Sequence, residues 1–544
     1  MLRPSLTLAL GVASLVGIAL VADGQSSASL DGTWAGVLRN GSRSAYTTLN
    51  ISTAADGTKH VDIGNPIGGG SEVLEGNVAA RVEGDSVGLP LRRQVGWLQM
   101  TGDRLWSRAG PGDGAPLVEF RRVRYLTDNE AAGYEGTYHF ADDDSDVVIA
   151  TAVGRVFFFQ TKDGRSARLN PDGTDTFTNG PGGILHVPVE RRWTFDRDGA
   201  GRAVRLHVTA TAGSPRTATR VDTYASEDVS YPSEALSIAG TLRTPRARGR
   251  HAAILLVSGS GPEPRDGFDG TEAFVADWLT RSGYVTLVYD KRGTGRSTGK
   301  YIDDNYDSLT TDAIAGLRYL AALPEVDPRR IGVWGMSQGG QLAPIIASRS
   351  PLVAFAIDTS GSVINSNEAE IQRTQRQLEL DGFSREDVQN AAAFQRLKFR
   401  YACKRDTWDE YAAAVAKWKK ERWFPDPYVG PPSAKEATAW DFWKCGEEPG
   451  VYWDHFTKPV LAIYGQNDGL SFTKSQVNRF KQAMAAAHNR HATIHVLPGV
   501  GHSMKVQRTG SMADEYTFLR YSLEYFRIMT NWIERIATDE LKPR

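Results

Sequence analysis

The sequence predicts an α/β domain with a mostly parallel sheet and helices on both faces, preceded by all-β modules. From residue 226 onward, short apolar runs alternate with amphipathic stretches, which is the pattern of strands and helices in a parallel sheet. Before that point, β-branched and aromatic segments are separated by Gly, Asp and Asn turns. Residues 364–456 interrupt the alternation, look helical and hold six of the 13 tryptophans. We therefore expect a helical cap insertion there, because long connections in compact domains are usually functional.

A chain of 544 residues is long enough for several domains. We predict a first β module over 25–126, a second over 127–225 and the α/β domain over 226–544. Residues 30–36, Leu-Asp-Gly-Thr-Trp-Ala-Gly, resemble residues 134–138, Tyr-Glu-Gly-Thr-Tyr. This echo indicates tandem β modules, either sandwiches or barrels.

The net charge gives no support for nucleic acid or an anionic membrane as a partner. Lys and Arg total 63 and Asp and Glu total 64, so the formal net charge is -1. Proteins that bind polyanions usually carry a basic excess on at least one face.

The N-terminus has the pattern of a signal peptide over 1–24. Arg3 precedes an apolar run over 6–22, and small residues follow at a plausible cleavage site. The alternative is an uncleaved membrane anchor, because the run approaches the length of a span. We expect a secreted or periplasmic protein with no membrane span after cleavage. In such a compartment Cys403 and Cys445 could form a disulfide; two buried thiols are the alternative.

The predicted strands of the α/β domain are apolar runs bounded by turn residues. An edge strand is expected at 235–242. Further strands are expected at 251–257, 284–289, 331–334, 353–357, 460–464 and, as the last strand, 493–497.

Residues 335–339 read Gly-Met-Ser-Gln-Gly, between an apolar strand and a helical segment. A serine on a sharp strand-to-helix turn is exposed as a nucleophile, and small neighbours are needed for the turn. Residues 295–299 fit the same Gly-x-Ser-x-Gly pattern around Ser297, but a polar loop follows instead of a helix. We therefore predict Ser337 as the nucleophile; a small residue in a tight turn is the alternative.

A serine nucleophile needs a base, and the base needs a carboxylate to orient it. In this kind of sheet the expected chain order is serine, acid, histidine. Asp468 follows the strand at 460–464 and His502 follows the strand at 493–497, both at the carboxyl ends where ligands bind. Asp358 is the rival acid. The other histidines after Ser337 are His455, His488, His491 and His495.

An oxyanion hole needs two backbone N–H groups directed at one point. We predict that Gln338, directly after the nucleophile, supplies one. The other is expected from the loop at 258–262, where Ser260 is the candidate donor; an ordinary Gly-rich turn is the alternative.

Three short motifs resemble those of the α/β-hydrolase superfamily. They are Gly-Ser-Gly-Pro at 259–262, Tyr-Asp-Lys-Arg-Gly at 289–293 and Ser-Gln-Gly-Gly at 337–340. The resemblance covers about 227–536 and is nearest to dienelactone-hydrolase-like proteins and general bacterial esterases. Ser258 departs from the pattern, because many members have His there.

The resemblance implies a serine hydrolase that cleaves carboxylic esters through an acyl-enzyme, with an ester-like small molecule as substrate and no metal or cofactor. A thioesterase and a serine peptidase related to prolyl oligopeptidases stay open, as does a binding protein with an inactive hydrolase domain. The region before residue 227 is too short for a propeller of seven blades of about 40 residues each. The oligomeric state is not predicted.

Overall fold

The computed structural model describes residues 29–540 except 41–42, 66–71, 84–85, 92–93, 109–115, 153, 184–188, 212, 302–304, 405–407, 425–447 and 511–519. The predicted signal peptide at 1–24 lies outside these residues. Where the chain is described, no helix is both long enough and apolar enough to cross a membrane.

The first β module is a closed barrel of eight strands, in which each strand pairs with its neighbour in the chain and the last pairs with the first. Its strands are β1 (Gly32–Asn40), β2 (Arg43–Thr53), β3 (Lys59–Asn65), β4 (Glu72–Glu83), β5 (Ser86–Leu91), β6 (Gln94–Thr101), β7 (Arg104–Arg108) and β8 (Pro116–Arg122).

The second β module is also a closed barrel of eight strands, preceded by a short helix. The elements are α1 (Asp128–Ala132), β9 (Gly136–Phe140), β10 (Ser145–Ala152), β11 (Arg155–Gln160), β12 (Ser166–Pro171), β13 (Thr176–Asn179), β14 (Arg191–Arg197), β15 (Ala203–Ala210) and β16 (Arg216–Val221). Of the two predicted alternatives, sandwich or barrel, both modules adopt the barrel.

The sequence echo between the modules corresponds to the same packing at the start of each barrel. Gly32 and Gly136 open the first strands with φ 130° and 143°, which favour glycine. A Cβ on Gly32 would lie 2.9 Å from Arg122 Nη1, and one on Gly136 would lie 2.7 Å from Arg220 Cζ. The Arg122 guanidinium also covers the Trp34 ring at 4.2 Å from its centroid. Each barrel therefore begins with a glycine that makes room for an arginine of the last strand.

The remaining strands form one eight-stranded sheet in the order β17-β18-β20-β19-β21-β22-β23-β24. The strands are β17 (Tyr224–Ser233), β18 (Leu236–Pro245), β19 (His251–Val257), β20 (Val285–Tyr289), β21 (Val326–Met336), β22 (Val353–Thr359), β23 (Val460–Gly465) and β24 (Ala492–Leu497). The pairs β17–β18 and β18–β20 are antiparallel and the others are parallel.

One predicted position in this sheet is wrong. The strand expected at the edge, residues 235–242, is β18 and lies second in the order; β17 forms the edge. β17 is mostly exposed and rich in polar residues, so it lacks the apolar signal by which strands are recognised.

Helices cover both faces of the sheet. Three helices cover one face, α3 (Tyr306–Ala321), α4 (Gln338–Arg349) and the later α9 (Thr473–Ala486), through a core that includes Leu317, Leu342 and Phe480. Two helices cover the other face, α2 (Thr271–Arg281) and α10 (Leu523–Glu540), through a core that includes Phe274 and Phe526.

The described part of the insertion at 364–456 is helical and has a core of its own. The helices are α5 (Ser366–Leu380), α6 (Arg385–Lys404), α7 (Trp408–Trp418) and α8 (Pro449–Trp453). Phe394, Tyr411 and Trp423 are buried together in this core. Cys403, at the end of α6, is disulfide-bonded; Cys445 lies outside the described residues. A role of these helices as a cap over the site stays a prediction.

The compact units of the chain do not follow the module boundaries. Residues up to Tyr134, Gly154–Val156 and Ala167–Thr219 form one unit; Glu135–Val153, Phe157–Ser166 and the chain from Arg220 form the other. Within the second unit, the Phe159 ring of β11 lies 5.4 Å from that of Phe274 and 5.3 Å from that of Phe526. Parts of β10 and β11 therefore share the core of the α/β sheet.

We predict that Phe159→Ala destabilises the α/β domain, although residue 159 lies in the second β module. Removing a buried phenylalanine costs about 3–5 kcal/mol of unfolding free energy. Denaturant unfolding followed by tryptophan fluorescence measures this loss. Phe472→Ala is the control, because Phe472 is 44% exposed, and its unfolding midpoint should stay near that of the unchanged protein. A Phe159→Ala protein as stable as the control would show that the aromatic cluster contributes little.

Candidate active site

Ser337 lies at the turn between β21 and α4, where the predicted nucleophile should be. Its backbone has φ 54° and ψ −112°, a strained conformation for a residue with a side chain. A Cβ on Gly335 would lie 2.1 Å from the Gly339 carbonyl oxygen, and one on Gly339 would lie 2.0 Å from that of Val257. The turn therefore requires glycine on both sides, as the motif indicated.

Ser297, in the second Gly-x-Ser-x-Gly motif, has a structural role. Its hydroxyl donates to the Asp290 carbonyl oxygen at 2.7 Å and accepts from the Ala239 N–H at 2.9 Å. The first bond closes the loop after β20, and the second ties that loop to β18.

The predicted acid and base lie together. His502 Nδ1 is 2.9 Å from Asp468 Oδ2. The other carboxylate oxygen, Oδ1, accepts from the backbone N–H groups of Leu470 and Ser471 at 2.9 and 2.7 Å. The Asp468 side chain is fully buried, so these donors fix its orientation. Because a carboxylate only accepts, Nδ1 carries the proton and Nε2 is the basic nitrogen of the neutral ring.

The serine and histidine loops are both attached to the end of β22. The Ser337 N–H donates to the Thr359 carbonyl oxygen at 2.8 Å. The Ser360 hydroxyl donates to the His502 carbonyl oxygen at 2.9 Å. Two consecutive residues therefore fix the backbones that carry the nucleophile and the base.

The loop predicted to supply an oxyanion donor lies beside the nucleophile. A Cβ on Gly259 would be 3.7 Å from Ser337 Cβ, an ordinary van der Waals contact. Ser260 is exposed, whereas Gln338 is buried. Among the hydrogen bonds of the described residues, neither the Ser260 nor the Gln338 N–H donates to a protein acceptor. Both groups are thus available to a ligand.

Lys291 is a buried residue of this site to which sequence reasoning assigned no role. Its ammonium donates to the carbonyl oxygens of Gly259 and Gly261 and, at 2.9 Å, to Gln338 Oε1. The motif at 289–293 was noted as a whole, and its lysine was the available signal.

Asp358, the rival acid, has other partners. Its Oδ1 accepts from the Gly361 N–H at 2.9 Å and its Oδ2 accepts from the Tyr464 hydroxyl at 3.0 Å. A Cβ on Gly340 would lie 2.2 Å from Oδ1, so Asp358 packs under the start of α4. Burial raises the pKa of Asp358 to about 7. Asp358 therefore packs against the first residues of α4, next to the turn at Ser337.

Gln377, on α5, was missed as a support of the acid loop. Its side-chain amide donates to the Gly469 and Gly510 carbonyl oxygens at 2.8 and 2.9 Å. The insertion therefore contacts the residue next to Asp468. A contact between segments so distant in the chain leaves no local pattern.

Within the described part of the chain, no three His, Cys, Asp or Glu side chains are grouped so that they could hold a metal ion.

The other four histidines after Ser337 lie elsewhere along the chain. His495 lies within β24, His455 follows α8, and His488 and His491 follow α9. The histidine that contacts Asp468 is His502.

The sheet order, the helices on both faces and the serine turn define an α/β hydrolase. A profile of the S15 peptidase family, described as X-Pro dipeptidyl-peptidase, matches residues 214–500, more than half of the chain. The chain belongs to this family of hydrolases.

Curated relatives match over a shorter stretch. The polyketide transferase claH of Penicillium crustosum is 32% identical over 103 residues, which are 17% of this chain and 31% of the relative. The thiohydrolase apmlB of Arthrinium phaeospermum is 34% identical over 84 residues, 15% of this chain and 27% of the relative. The matched segment thus spans less than a third of either relative.

Two of the solved structures that match this chain do so with TM-scores below 0.5. The esterase Pf2001 of Pyrococcus furiosus is 18% identical, with a TM-score of 0.38, over 57% of this chain and 91% of that one. Est1E of Butyrivibrio proteoclasticus, solved with ferulic acid, is 18% identical, with a TM-score of 0.36, over 57% of this chain and 99% of that one.

We predict that Asp358→Asn keeps its activity and gains stability relative to the unchanged protein as the pH rises. A carboxyl whose folded-state pKa is raised to about 7 binds its proton more tightly when folded, so it costs stability as the pH rises from about 4 to 7. Asparagine imitates the neutral carboxyl and carries no such cost. Unfolding free energies at pH 5 and pH 8 measure the difference, on the order of a few kcal/mol. A pH-independent difference would contradict the assignment.

Proposed function

We propose that this protein is an exported serine hydrolase that cleaves carboxylic esters through an acyl-enzyme, with Ser337, His502 and Asp468 as the catalytic triad. The observation that carries the proposal is the 2.9 Å contact between His502 Nδ1 and Asp468 Oδ2. A histidine oriented by a buried carboxylate, beside a serine on a strained turn, is the arrangement that activates a hydroxyl.

In the first half of the reaction, the Ser337 hydroxyl oxygen attacks the ester carbonyl carbon while His502 Nε2 takes its proton. The tetrahedral oxyanion accepts hydrogen bonds from the Ser260 and Gln338 N–H groups. His502 then returns the proton to the leaving alkoxide, and the carbon–oxygen bond to the alcohol breaks. Asp468 stabilises the imidazolium throughout.

In the second half, water takes the place of the alcohol. His502 removes a proton from the water, the hydroxide attacks the acyl carbonyl, and the proton passes to the Ser337 oxygen as the acid leaves. The partial positive charge at the N-terminus of α4 also favours the oxyanion. No step requires a group beyond the side chains and backbone named here.

Peptide cleavage at X-Pro bonds is the second candidate, and the family of the chain favours it. The two barrels that precede the hydrolase sheet in the chain are not a propeller of the prolyl oligopeptidase type. Parallel assays with an aryl ester, an aryl thioester and an X-Pro dipeptide arylamide separate the three chemistries. A binding protein without catalysis would fail to react with a fluorophosphonate probe.

The export part of the proposal rests on residues 1–24 and on the cysteines. A disulfide at Cys403 is favoured only in an oxidising compartment. Alkylation and mass measurement under non-reducing conditions test whether Cys445 is its partner.

We predict that Ser337→Ala and His502→Ala each lower the ester rate by several orders of magnitude, because the triad acts as one unit. Asp468→Asn should lower it by about 10⁴-fold or less, since it mainly orients and stabilises the histidine. Steady-state kinetics and fluorophosphonate labelling measure these losses. Ser297→Ala and His488→Ala are the matched controls and should stay near the unchanged rate. A Ser297→Ala variant that alone loses labelling would overturn the choice of nucleophile.

We predict that the rate falls as the pH drops below the range in which histidine is neutral, about pH 6 to 7. Protonated His502 cannot accept the Ser337 proton, so kcat/KM should decline by about tenfold per pH unit at the acid end. A pH–rate profile for an ester without ionisable groups measures this limb. A flat profile down to pH 4 would argue against a histidine base.

A further inference from the structure

A single buried ammonium contacts the segments that carry both proposed oxyanion donors. Lys291 is 1% exposed and follows β20. Its Nζ donates to the carbonyl oxygens of Gly259 and Gly261, which flank Ser260, and to the side chain of Gln338. Ser260 and Gln338 are the two residues whose N–H groups would bind the oxyanion.

A second backbone atom next to Ser260 is also held. The Gly261 N–H donates to the Tyr301 hydroxyl at 3.0 Å. The Glu263 carboxyl is buried beside this loop and interacts with the Lys291 charge. Lys291 therefore holds the peptide group before Ser260, through the Gly259 carbonyl, and Tyr301 holds the peptide group after it, through the Gly261 N–H.

The bond to Gln338 has a definite orientation. An ammonium has three donors and no acceptor, so the amide oxygen of Gln338 must face Lys291. The side chain of Gln338 is 1% exposed, and its backbone N–H is the first of α4. Lys291 therefore connects the loop at 258–262 to the helix whose N-terminus would stabilise the oxyanion.

We propose that Lys291 is a positioning residue that sets the distance between the Ser260 and Gln338 N–H groups, and so the fit of the oxyanion hole to the tetrahedral intermediate. This rests on the proposed function. Lys291 acts through the two donors and does not touch the reacting atoms. Hydrogen bonds of this kind contribute most when they are preorganised for the transition state, so small displacements lower kcat more than they change KM.

The test uses two variants of the full-length protein and their combination. Lys291→Met keeps the length of the side chain and removes its donors. Gln338→Met removes the acceptor and keeps the backbone N–H. Lys458→Met is the matched control, because Lys458 Nζ also donates to a carbonyl oxygen, that of Val353, at the opposite end of β22 from the site.

Kinetics with an aryl ester and with its thiono analogue give a readout that a purely structural role would not move. Sulfur accepts hydrogen bonds weakly, so the oxo-to-thiono rate ratio reports the oxyanion hole. Lys291→Met should lower kcat for the oxo ester by about 10²-fold, with KM changed by less than about threefold and the ratio reduced by a similar factor. The double variant should be no less active than the less active of the two single variants, because both substitutions break the same connection. Lys458→Met should stay near the unchanged rate.

Three results would overturn the proposal: a Lys291→Met rate within about threefold of the unchanged protein, an unaltered oxo-to-thiono ratio, or fully additive losses in the double variant. If Lys291→Met does not fold, as judged by thermal unfolding, the oxo-to-thiono ratio of Gln338→Met decides. A reduced ratio supports the proposal, and an unaltered ratio overturns it. The proposed function fails separately, when Ser337→Ala keeps turnover or labelling. An inactive Ser337→Ala together with an unaffected Lys291→Met refutes the role of Lys291 only.

Discussion

The close approach of α4 to the sheet is the constraint on which the rest of the site depends. Three glycines leave no room for a Cβ: Gly335 lies against the Gly339 carbonyl, Gly339 against the Val257 carbonyl, and Gly340 against the Asp358 carboxyl. This approach holds Ser337 at φ 54°, a conformation that costs about 1–3 kcal/mol and persists only when its surroundings enforce it. It also brings the end of β19, and with it the loop at 258–262, next to the first N–H groups of the helix.

Charged residues directly after β20 form buried ion pairs with two neighbouring segments. Asp290 accepts from Arg265 at 2.7 Å, and Arg292 donates to Asp312 on α3 at 2.8 Å. These groups are buried, so each one is tolerated only with its partner in place. Removing one partner leaves an uncompensated charge, which is why such networks favour a single arrangement of the loops over a set of similar ones.

The candidate site residues that sequence reasoning proposed are those whose signal is local. Ser337 has its motif and its strand-to-helix context, and Asp468 and His502 follow apolar strands in the expected order. The alternation of strands and helices also predicted the parallel sheet. Gln377 and the contacts of Lys291 could not be predicted, because they join segments far apart in the chain. The period-2 pattern is the same in a sandwich and a barrel, so the β modules stayed ambiguous, and the polar exposed β17 carried no apolar pattern at all.

The aromatic cluster around Phe159 affects how the chain can fold during synthesis. Phe159 on β11 leaves the ribosome well before Tyr521 and Phe526, the two later residues whose rings pack against it. Contacts of such high sequence separation form slowly and leave apolar surface exposed in the meantime. The Phe159 ring therefore lacks these two partners until α10 has been made. A chain stalled before α10 would expose this apolar surface to chaperones or to other nascent chains.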